Sequence, residues 1–241
     1  AEKTLGLDKD LEFYLPSGDR TSIIYAKKAS TEWQLVNIEG DETKVTKLDL
    51  ATVLPGVKDG SFVGKLEEMR WSGNSDYLLL KASYDGKAEW ILLNLKDVKR
   101  SLNLTQTFGL NFAQVEMIDD SANRLFVLEN HHIRRINTSD GTISQVLLSD
   151  IESFASEGSN LIYVQKTMKD SKTEQKIGTY RDGERSGVTV AEVKPEATVK
   201  VALAKYYDED YLAYFVDDKL TVYYGAVPNY HENVDDNVEL A

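Results

Sequence analysis

The residues able to do chemistry in this 241-residue chain are few. There are three histidines and no cysteine, which excludes disulfides, thiolate metal sites and a cysteine nucleophile. His131 and His132 are adjacent in "ENHHIRRIN", with Glu129 beside them. Neighbours in an extended chain point to opposite faces, so the pair is not built to chelate one metal and reads as an exposed turn. His231 lies in the acidic run "YHENVDDNVEL", which reads as a solvated tail. Calcium needs several oxygens on one compact loop. "DDSAN" (Asp119, Asp120, Asn123) and "YDED" (Asp208, Glu209, Asp210) come nearest. Neither has the spacing of an EF-hand or a nonapeptide repeat, and both read as turns. Glu12, Glu67, Glu68 and Glu116 supply carboxylates that a glycoside hydrolase would need in pairs. No nucleophile elbow and no phosphate loop occurs. From the sequence, no catalytic, cofactor or metal residue is assigned.

The elements that hold these residues repeat. Five apolar runs, "SIIY" at Ser22, "YLLL" at Tyr77, "LFVL" at Leu125, "LIYV" at Leu161 and "LAYF" at Leu212, recur at intervals of roughly 36 to 55 residues. Each follows a short strand-like segment and a polar turn: "LEFYL" then "PSGDRT", "LEEMRW" then "SGNSD", "FAQVEMI" then "DDSANR", "IESFA" then "SEGSN", "VKVALAKY" then "YDED". Gly, Asp, Asn and Ser collect in these turns because they tolerate positive φ or bond their own backbone. A second turn and a third strand follow: "WQLVNI", "WILLNL", "HIRRIN", "KIGTYR" and "LTVYYG". Four units continue into a fourth strand, "TKVTKLDL", "SLNLTQTF", "ISQVLLS" and "GVTVAEV". Four antiparallel strands at a period near 40–50 residues is the pattern of a β-propeller blade. The expected fold is all-β, a propeller of about five four-stranded blades over residues 1–230, with 231–241 as an acidic tail. The near-continuous apolar second strands suit strands packed on both faces. "TKLDLATVLPG" and "SDIESFASEG" have room for one helical turn each. The last unit shows three strands. Either "EKTLGL" completes it beside "LTVYYG", or further blades follow "VPNYHENVDDNVELA".

Composition narrows the partners. The formal net charge is −12, which disfavours phosphate backbones and anionic lipid. No apolar run approaches the ~20 residues that span a bilayer. "AEKTLGLDKD" has no apolar signal core and reads as a cut boundary. The 13 tyrosines, seven phenylalanines and three tryptophans serve mainly as core, with some, such as those at Tyr206 and Tyr223, available for contact. The sequons at Asn103 and Asn137 read as chance.

"WSGNSDYLLL…DGKAEWILLNL", from Trp71, resembles the W-S-x-D-G-x-x-L/I-x-F pattern of TolB-type and WD-repeat-like propellers. Only the second unit carries the Trp, and its turn is "GNSD" rather than "P-D-G". "LNLTQTFGLNFAQVEMIDDSANRLFVLENHHIRRINTSDG" is similar to the propeller-like region of bacterial PEGA-domain envelope proteins. That resemblance implies an extracytoplasmic domain anchored to a membrane through a segment outside this chain. The expected function is a non-catalytic platform for a protein or cell-wall component, with no cofactor and a monomeric state. The alternative is a carbohydrate-active hydrolase with carboxylates in a central channel.

Overall fold

The computed structural model describes residues 10–39, 42–206 and 209–225. Strands account for 62% of it. Four antiparallel sheets have four strands each and a fifth has three. The first sheet holds β1 (Leu11–Pro16), β2 (Ser22–Lys27), β3 (Glu32–Glu39) and β4 (Glu42–Asp49). A small hairpin follows, β5 (Val57–Lys58) with β6 (Ser61–Phe62). The second sheet holds β7 (Lys65–Trp71), β8 (Tyr77–Tyr84), β9 (Lys87–Asn94) and β10 (Leu102–Asn103), then helix α1 (Leu104–Phe108). The third holds β11 (Gln114–Met117), β12 (Arg124–Glu129), β13 (His132–Asn137) and β14 (Thr142–Ile143). The fourth holds β15 (Ile151–Glu157), β16 (Asn160–Lys169), β17 (Lys172–Arg181) and β18 (Val188–Val193). The fifth holds β19 (Val199–Tyr206), β20 (Glu209–Val216) and β21 (Lys219–Tyr224). In every sheet the strands pair in chain order. The chain divides into two compact units, residues 1–111 with the first two sheets and 112–241 with the other three.

The repeat has a hydrogen-bond basis. In "SGDRTS", Ser17 Oγ donates to Asp19 Oδ1 at 2.6 Å and accepts from Ser22 N at 2.9 Å. In "SGNSDY", Ser72 Oγ donates to Asn74 Oδ1 at 2.8 Å and accepts from Tyr77 N at 2.9 Å. The third sheet uses Asp119, whose Oδ1 accepts from Asn123 N at 2.9 Å. Two residues before β2, β8 and β12 the backbone turns left-handed, at Arg20 (φ 61), Ser75 (φ 57) and Ala122 (φ 55). The short polar side chains stand in for the ladder where the chain reverses, so divergent turn sequences share one geometry.

Within residues 1–111, Ile24, Trp33, Leu35 and Leu48 of the first sheet pack on Leu78, Leu80, Ile91 and Leu93 of the second. Phe13 meets Trp33 edge-on with centroids 4.8 Å apart. Trp71 Nε1, at the end of β7, donates to Leu15 O of β1 at 3.3 Å. Within residues 112–241, Phe126, Phe154, Leu161 and Tyr180 fill the core between the third and fourth sheets. Gln114 Nε2 of β11 donates to Phe154 O of β15 at 2.6 Å. In each unit, then, a side chain of one first strand bonds the backbone of the neighbouring first strand.

β8, β12 and β16 bury consecutive residues on both faces, as their apolar runs anticipate. β2 and β20 do not: their burial alternates, with one face covered. Other departures from the sequence reading are local. "SLNLTQTF" is a strand only at Leu102–Asn103. Asn103 Oδ1 then accepts from Gln106 N and caps α1, which ends at Gly109 (φ 63). "ISQVLLS" is a strand only at its start, in Thr142–Ile143; Ser144 Oγ then accepts from Arg135 N in place of a ladder bond, and the segment meets β13 again at a single bridge, Leu148 to Ile133. After Asp49 a single i→i+4 bond forms, Leu54 N to Leu50 O, and no helix. "SDIESFASEG" is strand β15. The pairing of "EKTLGL" with β21, the acidic tail, His231 and Asp208 lie outside the described residues.

Candidate functional site

The inner-strand glutamates share an unforeseen device. β1, β7 and β15 each carry a register shift, spanning Leu11/Phe13, Leu66/Glu68 and Ile151/Ser153. The extra residue is a glutamate each time: Glu12, Glu67 and Glu152, all exposed. A bulge re-aims a side chain away from the ladder, and a carboxylate keeps it in water. The signal was present as "LEF", "LEE" and "IES", but only register gives it meaning. At Glu67 the bulge brings two carboxylates onto one cation. Lys81 Nζ lies 3.6 Å from Glu67 Oε2 and 3.8 Å from Glu68 Oε1, and 5.4 Å from the Trp90 ring centre. Arg70 adds a contact to Glu68 at 3.1 Å. Glu116 is buried and accepts from Gln114 Nε2 at 2.8 Å. Glu67, Glu68 and Glu116 are tied into ion pairs and hydrogen bonds rather than to one another.

His131 sits in a left-handed turn with Asn130 (φ 63 and 47). Its Nδ1 is 3.2 Å from Ile151 O and 3.5 Å from Glu152 Oε1. His132 begins β13 and pairs in register with Glu129, which is buried, accepts from Asn130 Nδ2 and lies 3.8 Å from Arg134 Nε. Asp119 is spent on its own turn and on Arg124, at 3.3 Å. Asp120 and Asp210 lie near enough to Glu157 for their charges to act on it. Partial desolvation first, and Asp210 next, hold the Glu157 carboxyl above its usual range. Among the described residues no three His, Cys, Asp or Glu side chains gather closely enough to hold a metal ion. Both sequon asparagines spend their amide nitrogens on carboxylates, Asn103 on Glu89 at 2.6 Å and Asn137 on Asp140 at 2.9 Å.

An arginine pair escaped the sequence reading. Asp182, in the turn after β17, has a side chain only 4% exposed. Arg124 Nη1 and Arg135 Nη1 each donate to it at 2.7 Å, one to each oxygen. This clamp joins the third sheet to the fourth and forms one wall of a cleft of ≈420 Å³ that also includes Asn137 and Asp140. Only Arg135 of the doublet "RR" takes part, and its partner Asp182 lies 47 residues away. A second cleft of ≈430 Å³ in residues 1–111 is lined by Asp19, Asn37, Lys44, Asn74, Asp76 and Lys96. Three of its charged groups are also engaged: Asp76 meets Lys96 at 2.7 Å, and Asp19 is held below the usual carboxylate range by Ser17 and Thr21.

No family model and no curated protein matches the chain in sequence. Solved structures do match in fold. A chain of the yeast heterotrimeric Nup82-Nup159-Nup116 nucleoporin complex superposes with a TM-score of 0.59 at 11% identity, over 91% of this chain and 70% of that one. A eukaryotic initiation factor matches at 0.54 and 13%, over 94% and 63%. A prolyl endopeptidase matches at 0.56 and 12%, over 91% and 35%. The chain thus spans under two thirds of the initiation factor and about a third of the endopeptidase. The five sheets are propeller-type blades. At this identity the likeness concerns fold alone, and propeller blades occur both in a nucleoporin complex and beside a peptidase.

Proposed function

We propose that this propeller region is a non-catalytic platform that docks a protein or cell-wall component, as the extracytoplasmic part of a membrane-anchored bacterial protein. One observation carries the reading. The two polar clefts hold charged groups that are already engaged, Asp19 and Asp76 from turns in one and Arg124 and Arg135 from strands in the other. Prepaid side-chain order of this kind favours docking of a surface, since little rotamer freedom remains to be lost. It does not leave an acid and a base poised over a shared substrate. The envelope setting draws on the PEGA-protein resemblance.

The test is affinity capture from bacterial envelope extract, repeated with Lys44→Glu/Lys96→Glu and with Arg135→Glu. Loss of a specific band with either variant, at unchanged circular dichroism, is the expected result. A band indifferent to both variants argues against the clefts. The carbohydrate-active alternative draws on the bulged Glu12 and Glu67. Turnover of aryl glycosides abolished by Glu67→Gln or Glu116→Gln would replace the platform with an enzyme.

A further inference from the structure

The cleft in residues 1–111 is bordered by two turns of the same design. The β1–β2 and β7–β8 turns both line it, with side chains from β3 and β4 and from the segment after β9. Its planar polar side chains are each held by one atom and keep another unspent. Asp19 Oδ1 accepts from Ser17 Oγ at 2.6 Å and Thr21 N at 3.1 Å, which leaves Oδ2. Asn37 Oδ1 accepts from Ser22 Oγ at 2.8 Å, which leaves both hydrogens of Nδ2. Asp76 Oδ2 accepts from Lys96 Nζ at 2.7 Å and Asn74 Nδ2 at 3.4 Å, which leaves Oδ1. Lys44 Nζ has no ion-pair partner among the described residues. Two carboxylates and two ammonium groups give the lining a formal charge of zero. Leu35 and Leu95, buried, and Ile38, half-buried, add an apolar patch. The volume of ≈430 Å³ falls within the ~300–1,000 Å³ of small-ligand sites.

We propose that this cleft binds an uncharged sugar, a pyranose unit of a glycan. The inference rests on the platform reading above and names the ligand of one of its two clefts. A sugar hydroxyl both donates and accepts hydrogen bonds, so it needs donors and acceptors side by side. Asn37 and Lys44 supply the donors, and Asp19 and Asp76 supply the acceptors. The C–H face of a pyranose ring is apolar and matches Leu35, Ile38 and Leu95. The anchoring bonds order the planar groups before the sugar arrives, so little rotamer freedom is lost on binding. Ionic ligands fit worse. A phosphate or carboxylate meets Asp19 and Asp76, a cation meets Lys44 and Lys96, and like charges at close range repel. An apolar side chain leaves the unspent polar atoms without partners, which costs more than it gains.

Titration of the isotope-labelled chain with cellotetraose, maltotetraose and the tetramer of N-acetylglucosamine, followed by nuclear magnetic resonance, tests it. The expected result is a saturable shift of the Asn37 and Asn74 side-chain amides with at least one of the three, and none with tetragalacturonate. Asn37→Asp keeps the acceptor for Ser22 and removes the donors. Asp19→Asn keeps Oδ1 and turns the unspent acceptor into a donor. Each variant, at unchanged circular dichroism, weakens binding about fivefold or more, as loss of a hydrogen bond does. Val63→Ser, at an exposed position before β7, leaves binding intact. No saturable shift with any of the three sugars overturns the proposal. So does a shift indifferent to both Asn37→Asp and Asp19→Asn, or tighter binding of tetragalacturonate. If the sugars fail while the envelope band stays sensitive to Lys44→Glu/Lys96→Glu, the platform stands and the sugar does not. If the sugars bind while that band is indifferent to both cleft variants, the sugar site stands and the platform falls.

Discussion

Individual side chains carry more of the repeat than the sequence period does. Gly178 and Gly187 cradle the Tyr163 ring, and a Cβ at Gly178 would lie 2.4 Å from its Cζ. The neighbour there is a buried ring with little room to move, so Gly178→Ala costs about 1–3 kcal/mol by overpacking. A lowered melting temperature that Tyr163→Leu partly restores is the expected double-mutant result. Turn residues behave oppositely. Ser171 sits at φ 62 in the β16–β17 turn, where glycine has no Cβ penalty. Ser171→Gly stabilises by about 0.5–1 kcal/mol, read as a higher denaturation midpoint.

Glu157 makes a pH-dependent prediction. Its folded pKa is raised, by desolvation and then by Asp210, so the native state holds that proton more tightly than the unfolded chain. The charged form is thus penalised at neutral pH, and the penalty fades as pH falls through the raised value. Glu157→Gln should raise the melting temperature at neutral pH. The gain should vanish once the pH lies below both the folded and unfolded values. A gain that persists in acid would exclude titration of this carboxyl as its source.

At the scale of elements, neighbouring blades are joined by a few polar links over apolar cores. The Arg124–Asp182–Arg135 clamp is the clearest, because one buried carboxylate satisfies two guanidiniums. Asp182→Ala leaves both cations half-exposed without that partner and costs about 2 kcal/mol, less than a fully buried pair because water reaches the arginines. Adding Arg135→Ala to that variant should cost little more, since the two residues act as one network. Additive losses would show that the guanidiniums bind Asp182 independently. The β1–β2 and β7–β8 turns offer a matched test. Ser17→Ala and Ser72→Ala remove equivalent hydroxyls, and each should cost about 1 kcal/mol. Unequal effects would mean that the two turns are alike only in geometry.

On the scale of the whole molecule, far-UV circular dichroism should be dominated by strand, as 62% strand content requires. Much of this was legible in the sequence. Apolar second strands, polar turns and a long period specify four-stranded antiparallel units, because each rests on local backbone chemistry and period-two patterning. "SIIY", "YLLL", "LFVL", "LIYV" and "LAYF" each fall in the second strand of a sheet. Short-range competition was less legible. Asn103 starts a helix where a strand was expected, because a capping side chain bonds Gln106 N within three residues.

What the sequence by itself determined was the unit: the first three strands of each repeat, the turns between them and the apolar character of each second strand. Only the tertiary structure decided what meets across blades. Asp182 finds Arg124 and Arg135, Trp71 finds Leu15, and Gln114 finds Phe154. It also decided that β2 and β20 are covered on one face while β12 and β16 are covered on two. The physical reason is range. Turn and strand preferences act over a few residues and are written in composition. Partners 40 to 58 residues apart are chosen by how sheets stack, and no local pattern encodes that choice.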